Sequence, residues 1–312
     1  MKRWQANLVL LLAGATWGMG FVAQATAMDS IGPFLFIALR FAVATLVVLP
    51  FVLHESRQQT LSKAPPLTGS DLLGFGLVGL SLFAGMATQQ VGLLSTSVTN
   101  SGFLTGLYVV LTPILGVVLF REFPHRITWV AAVFSLLGIY LLSGGNIGEL
   151  VIGDVLTIGS AACWALQVVM IARFVGQSGR PLALSVTQFA VTGAIALVFA
   201  LWLEPLHWPS IVEVAPQILY AGIFASGFAF TLQVIGQRYT SAPQAAIFLS
   251  SEAPFAALFA FWWMGERVGL IGLAGCSLIF IAMLAVELVP QWSESRRRAL
   301  ETVKQPTVPL GL

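Results

Sequence analysis

Of the 312 residues, 57% are hydrophobic and only 9% are charged, with a mean hydropathy of +0.90 and a formal net charge of +2. Soluble domains carry about 25% charged residues, and a chain this poor in charge could not cover a globular surface, so composition excludes a soluble domain and requires a membrane protein. No nucleic-acid partner fits such a chain; its expected partners are a lipid bilayer and whatever small molecule it handles.

Apolar runs bounded by charge, Pro or Gly predict ten membrane-spanning helices, at 6–27, 33–53, 71–92, 98–120, 126–143, 153–173, 181–203, 215–236, 243–264 and 268–289. A helix rising about 1.5 Å per residue needs roughly 20 residues to cross a hydrocarbon layer about 30 Å thick. Lys2 and Arg3 followed by an apolar run, with Ala23, Ala25 and Ala27 further on, imitate a signal peptide. The run is long and is followed by many others like it, so it reads as an uncleaved first span. The longest connection is 54–70, and residues 291–312 form a polar tail.

Lys and Arg set the orientation. With the N-terminus in the cytoplasm, 13 of the 15 basic residues fall in inner segments, among them Lys2, Arg3, Arg57, Arg121, Arg173, Arg238 and Arg296 to Arg298. Only Arg267 lies in an outer loop, and Arg40 lies within the second span. The outer loops hold Asp29, Glu149, Asp154, Glu204, Glu213 and Glu266 instead. This bias predicts a multi-pass protein of the inner membrane with both termini cytoplasmic, and Arg296 to Arg298 read as an anchor to anionic lipid.

The chain also repeats itself. At an offset of 144, Gln89 matches Gln233, Gly92 matches Gly236, Thr96-Ser97 matches Thr240-Ser241, and Glu122 matches Glu266. At 148, Pro33 matches Pro181 and Arg40-Phe41-Ala42-Val43 matches Gln188-Phe189-Ala190-Val191; at 147, Trp17 matches Trp164. A five-span unit is thus used twice, and because five is odd the second copy enters from the opposite side, a plan that places substrate sites near the midplane between repeats. The expected units are 1–145 and 150–290, the fold class being all-α with two inverted five-helix repeats.

The first-span Ala15-Thr16-Trp17-Gly18 and the run from Thr99 through Asn100, Gly102, Thr105, Gly106 and Tyr108 to Pro113 and Arg121-Glu122 are joined in the second half by Thr240-Ser241-Ala242, Glu252-Ala253-Pro254 and Gly265-Glu266. On these residues the sequence resembles the EamA-type members of the drug/metabolite transporter superfamily, over about 6–289. The resemblance implies ten helices around a central cavity and transport of small metabolites, often amino acids and often outward. Pro113 lies nine residues before Glu122 but Pro254 twelve before Glu266, so these two candidate hinges predict helices that bend at different depths.

Candidate site residues are the polar and aromatic groups at membrane depth. Glu252 comes first, because a charged side chain at a helix centre costs roughly 2.5 to 3.5 kcal/mol and must face protein or water. It reads either as a substrate ligand and proton carrier or as a structural acid, and its repeat-mate is Tyr108. Arg40 either snorkels outward or pairs with a substrate carboxylate. Gln89 and Gln233 line a cavity or glue helices; Trp17 and Trp164 close over a ligand or pack; Asn100 and Thr105 are further candidates. Gly14, Gly18, Gly102 and Gly106 read as sites of close helix packing.

The three histidines fall in loops, Cys163 and Cys276 fall in apolar segments, and no P-loop occurs. The reading is therefore a non-enzymatic secondary transporter, with no catalytic residues, metal or cofactor, in which one chain suffices and proton coupling runs through Glu252. The alternative is an uncoupled facilitator or channel for small solutes.

Overall fold

The computed structural model describes residues 1–28, 30–96, 98–143, 151–264 and 269–304. The readings made for Asp29, Ser97, Glu149, Gly265, Glu266 and Arg267, for 144–150 and for 305–312 lie outside the described residues. Among the described residues all regular structure is helical. The helices are α1 (Arg3–Ala27), α2 (Pro33–Leu61), α3 (Gly69–Gly92), α4 (Val98–Thr105), α5 (Tyr108–Phe120), α6 (Arg126–Leu142), α7 (Ile152–Ser178), α8 (Pro181–Leu203) and the short α9 (Trp208–Glu213). Next, α10 (Ala215–Tyr220) runs through a π-helical segment, Ala221–Phe228, into α11 (Ala229–Gln237). The chain ends with α12 (Ala242–Leu249), α13 (Glu252–Met264) and α14 (Leu270–Lys304).

Local sequence explains several of the ends. Pro33 and Pro181 occupy the first turns of α2 and α8, where a missing N–H goes unnoticed. Thr68 Oγ1 accepts from the Asp71 amide at 3.2 Å while Asp71 Oδ2 accepts from the Thr68 amide at 2.8 Å, a reciprocal cap on α3. Arg121 and Gly179 adopt left-handed φ values of 55° and 64° and close α5 and α7.

Seven helical stretches among the described residues are long and apolar enough to cross a membrane: Pro33–Leu61, Gly69–Gly92, Asn100–Phe120, Ile152–Ser178, Pro181–Leu203, Ala215–Gln237 and Leu270–Trp292. Hydropathy marks burial in lipid and not helix ends. The second span, expected to stop at 53, continues as helix to Leu61, and the polar segment after 290 is helical to Lys304. Asp154, expected in a solvated loop, is 1% exposed, because it accepts from the Val151 amide at 3.0 Å and from the Thr96 hydroxyl.

The runs 98–120 and 243–264, expected to be continuous, are each two helices. Breaks fall at Gly106-Leu107 and at Ser250-Ser251, where tight i+3 bonds replace the regular ladder: Val109 N to Gly106 O at 3.1 Å, and Ala253 N to Ser250 O at 3.3 Å. At an offset of 144 the bounds of α4 and α5 coincide with those of α12 and α13. The two breaks therefore share one register, which corrects the expectation of different depths: Pro113 sits inside α5, well past its break, so proline position does not set where these helices part.

Helices α2 and α8 form the most extensive pairing and run antiparallel, each holding the other's N-terminus. Glu204, at the end of α8, accepts from the amides of Phe34 and Leu35 at 2.8 and 2.7 Å. Glu55, in α2, accepts from those of Leu182 and Ala183 at 3.2 and 3.0 Å. Both carboxylates satisfy orphan donors and oppose the positive end of a helix dipole.

Candidate functional site

The two breaks put Tyr108 and Glu252 at the first positions of α5 and α13. Helix α1 lies against the second break through glycine. A Cβ on Gly18 would stand 2.7 Å from the Ala256 nitrogen and 2.9 Å from the Glu252 carbonyl oxygen, and one on Gly14 would collide with Ser251 Oγ. Gly106 likewise sits close to Ile139, but a Cβ on Gly102 would meet no described residue, so the described residues give no support to the packing role expected of Gly102.

Around this point a cavity opens with about 580 Å³ of unfilled space, its mouth included. It is lined by Trp17 and Gly20 from α1, Arg40 from α2, Met86 and Gln89 from α3, Thr105 and Tyr108 from α4 and α5, and Trp164 and Val168 from α7. The π segment adds Ala225, α11 adds Phe230 and Gln233, and Leu249 and Glu252 complete the wall from α12 and α13. Of the polar and aromatic candidates for substrate contact, Asn100 alone lies off this described wall, while Arg40 and Glu252 share it. The prolines Pro113 and Pro254 are buried in their helices outside the lining, and the three histidines are exposed.

Arg40 does not snorkel. It is 2% exposed, its Nε donates to Ser226 Oγ at 2.8 Å, and its guanidinium lies 5.6 and 5.5 Å from the ring centroids of Phe36 and Phe41. The Trp17 indole donates to the Ala225 carbonyl at 2.8 Å, so the π-helical segment holds both the cation and one indole. Gln89 donates to Thr105 Oγ1 at 2.8 Å, and the Tyr108 hydroxyl makes a long contact of 3.4 Å with the Ala246 carbonyl. Gln233 donates to Gln167 at 3.1 Å, which donates to Gln188 at 3.2 Å. Among the described residues no group donates a hydrogen bond to the Glu252 carboxylate. Trp17 and Trp164 both pack on Phe230, at centroid distances of 4.7 and 5.7 Å.

Sequence reasoning missed Ser226 and Phe230. The repeat-mate of Ser226 is Leu82, so the offset gave no signal, but Ser226, Phe230 and Gln233 are spaced four and then three apart, one helical face leading to a residue already suspected. It also missed a polar cluster outside the cavity, in which Glu287 accepts from Asn7 at 2.7 Å and from Gln244 at 2.6 Å and pairs with Arg3 at 3.4 Å. This cluster joins the starts of α1 and α12 to the middle of α14. Glu122 pairs with Arg173 at 4.0 Å on the exposed surface, a contact of little energetic weight.

The model of the EamA-like transporter family matches residues 4–144 and 151–288. The chain is 30% identical to an uncharacterized transporter of Archaeoglobus fulgidus over 288 residues, covering 92% of this chain and 87% of the relative. It is 26% identical to the threonine/homoserine exporter RhtA of Salmonella typhimurium, covering 92% and 94%, and 25% identical to that of Escherichia coli, covering 96% and 97%. One crystal structure superposes with a TM-score of 0.76 at 18% identity, over 94% of this chain and all of that one, a likeness of fold alone.

Proposed function

Because the chain belongs to the EamA-like transporter family, we propose that it is a secondary transporter that moves a small zwitterionic metabolite of the amino-acid type outward across the inner membrane by alternating access. The observation that carries this reading is that Arg40 and Glu252 line one cavity. A guanidinium suits a carboxylate and a carboxylate suits an ammonium, so the two bind the unlike ends of one ligand. Glu252, which receives no hydrogen bond from the described residues, is also the group we assign to carry a coupled proton. The relatives named as threonine/homoserine exporters support both the substrate class and the direction.

The architecture we infer is ten spans in two inverted repeats, Met1 to 145 and 150–290, with N- and C-termini in the cytoplasm. Helix α1, α6 and the α12–α13 pair add three crossings to the seven long apolar stretches. The inverted relation is supported by the shared register of the broken helices and by the antiparallel pairing of α2 with α8. The twofold family match agrees with it. One chain encloses the cavity, so a monomer suffices. Among the described residues no nucleophile–base pair lines the cavity, which favours transport over chemistry.

The test is resistance and efflux. Cells overexpressing the protein are expected to tolerate one or a few amino acids at otherwise toxic concentration and to release them faster when preloaded. No change for any amino acid would overturn the substrate class. Efflux indifferent to the proton gradient would replace the coupled carrier by an uncoupled facilitator.

A further inference from the structure

On the inverted plan, the first halves of the two broken helices, α4 and α12, are repeat-mates at opposite ends of the bundle, and the two ends are packed differently. Helix α12 packs on α5, α6 and α7, and Gln244 near its start donates to Glu287 of α14 at 2.6 Å and to Asn7 of α1 at 3.3 Å. The equivalent partners of α4 would be α13, α14 and α1, and among the described residues it packs on none of them to a comparable extent. Burial agrees. Gln244, Ala246 and Ile247 are buried, whereas their mates Asn100, Gly102 and Phe103 are only half-buried. The α12 end is thus closed and the α4 end open.

One contact at the closed end shows what the open end lacks. The Tyr108 hydroxyl donates to the Ala246 carbonyl at 3.4 Å, and that carbonyl also accepts from the Ser250 amide at 3.0 Å. At the offset of 144, the mates of these three residues are Glu252, Gly102 and Gly106. The Gly106 amide donates to the Gly102 carbonyl at 3.2 Å, but among the described residues no side chain does. A carbonyl oxygen has a second lone pair to offer. Space is available too: a Cβ on Gly102 would meet no described residue, whereas its mate Ala246 is 0% exposed. The chemistry of the two mates differs in one respect. A phenol carries its donor proton at any ordinary pH, but a carboxyl group donates only when protonated.

We propose that the Gly102 carbonyl is the docking point of Glu252 when the α4 end closes: the protonated carboxyl donates to it, as Tyr108 does to Ala246. An ionised Glu252 sets a negative charge against a carbonyl oxygen and holds that end open. Tyr108 of α5 and Arg40 of α2 share the cavity with Glu252. The helices packed on α13 carry titratable groups at Arg3 in α1, at Arg126 and Tyr140 in α6, and from Cys276 and Glu287 onward in α14, none of them on the cavity wall. This rests on the alternating-access reading above and assigns its proton step. On the inferred topology the α4 end is the outer one, so the empty carrier takes a proton from outside, closes and carries it inward, which is the return half of an outward exchange.

The experiment uses the purified full chain in detergent, with Cys163 and Cys276 replaced by Ala and one new cysteine, Asn100→Cys, whose labelling by a water-soluble maleimide reads exposure of the α4 end. Leu94→Cys, at a position 61% exposed, corrects for the pH dependence of the thiol itself. The corrected rate at position 100 is expected to fall about fivefold from about pH 8 to about pH 5, a shift that one hydrogen bond can drive. Glu252→Gln, whose amide always donates, should be protected at both pH values, and Glu252→Ala reactive at both. Gly102→Leu extends into space that is open here, so it should keep its Tm yet stay reactive at both pH values; Gly102→Ala, which copies Ala246, should still close at low pH. A rate indifferent to pH with Glu252 and Gly102 in place, or closure retained in Gly102→Leu, overturns the proposal. If Gly102→Leu does not fold, equal protection in Glu252→Gln and Glu252→Ala overturns it instead. Labelling needs no substrate, so a protein that closes in this way but transports no amino acid keeps this inference and loses the substrate class.

Discussion

Replacing Glu252 by Gln separates a ligand-binding acid from a structural one, because the two roles predict different changes in stability. A structural carboxylate is held by donors, and each hydrogen bond to a charged group is worth about 1.5 to 3 kcal/mol. Losing it lowers Tm by up to about 2 to 4 °C per kcal/mol in a domain of moderate size. No described residue donates a hydrogen bond to Glu252, which sits at the first position of α13 against the cavity. Replacing it by Gln takes away none of these bonds, so the variant is expected to unfold at about the same temperature as the wild type. Binding is expected to fall, because an ammonium loses its charged partner; about 1.5 to 3 kcal/mol corresponds to a KM raised roughly 10- to 150-fold. The assays are thermal unfolding of the purified protein without ligand and uptake into proteoliposomes across a pH series, where the variant should also lose the wild type's dependence on pH. A lowered Tm together with wild-type KM and pH dependence would refute the reasoning.

Arg40→Lys preserves charge but cannot both reach Ser226 and lie flat between Phe36 and Phe41; the protein should insert, with KM for carboxylate-bearing substrates raised about tenfold or more, and equal transport would remove Arg40 from the site. Glu204→Ala deletes two amide contacts of 2.8 and 2.7 Å and Glu55→Ala two of 3.2 and 3.0 Å. Calorimetry should show a loss of about 2 kcal/mol for Glu204→Ala, discounted for partial exposure, and a smaller one for Glu55→Ala; the reverse order would contradict the geometry. Gly18→Ala puts a methyl 2.7 Å from a backbone nitrogen that cannot rotate away, so stability should fall by about 1 to 3 kcal/mol and transport with it, and wild-type values for both would mean that α1 moves freely over α13.

The positions of the helices were legible because backbone groups in lipid must be satisfied within the segment, which turns an apolar run into a helix. The breaks were not, since Gly106-Leu107 and Ser250-Ser251 change neither length nor apolar character, and the visible prolines drew attention to the wrong residues. The cavity wall was legible for the same reason as the helices: a polar group at membrane depth has to face protein, and Arg40, Gln89, Gln233 and Glu252 all do. Asn100 failed because depth is not direction. It stands five residues before Thr105, about 140° around the helix, so the two cannot face one cavity.

Glu55 and Glu204 were hidden by a different habit of reading, in which acids beyond the end of an apolar run count as solvated loop charges. Their meaning depends on α2 and α8 running antiparallel, when the C-terminal part of each reaches the N-terminus of the other. Under the offset that matches Pro33 to Pro181 the two glutamates fall within one residue of being mates, so the frame repeats in kind. The site does not: Arg40 is answered by Gln188, and Glu252 by Tyr108. Each charged position faces an uncharged mate, and the π-helical segment that holds Arg40 through Ser226 corresponds to ordinary α-helix in α3. A symmetric frame lets one helix pair, α2 with α8, exchange equivalent contacts at its two ends, whereas an arginine and a glutamate on unrelated elements call for a ligand whose ends differ. On the proposed function, that combination suits a carrier for a zwitterion better than a symmetric pore.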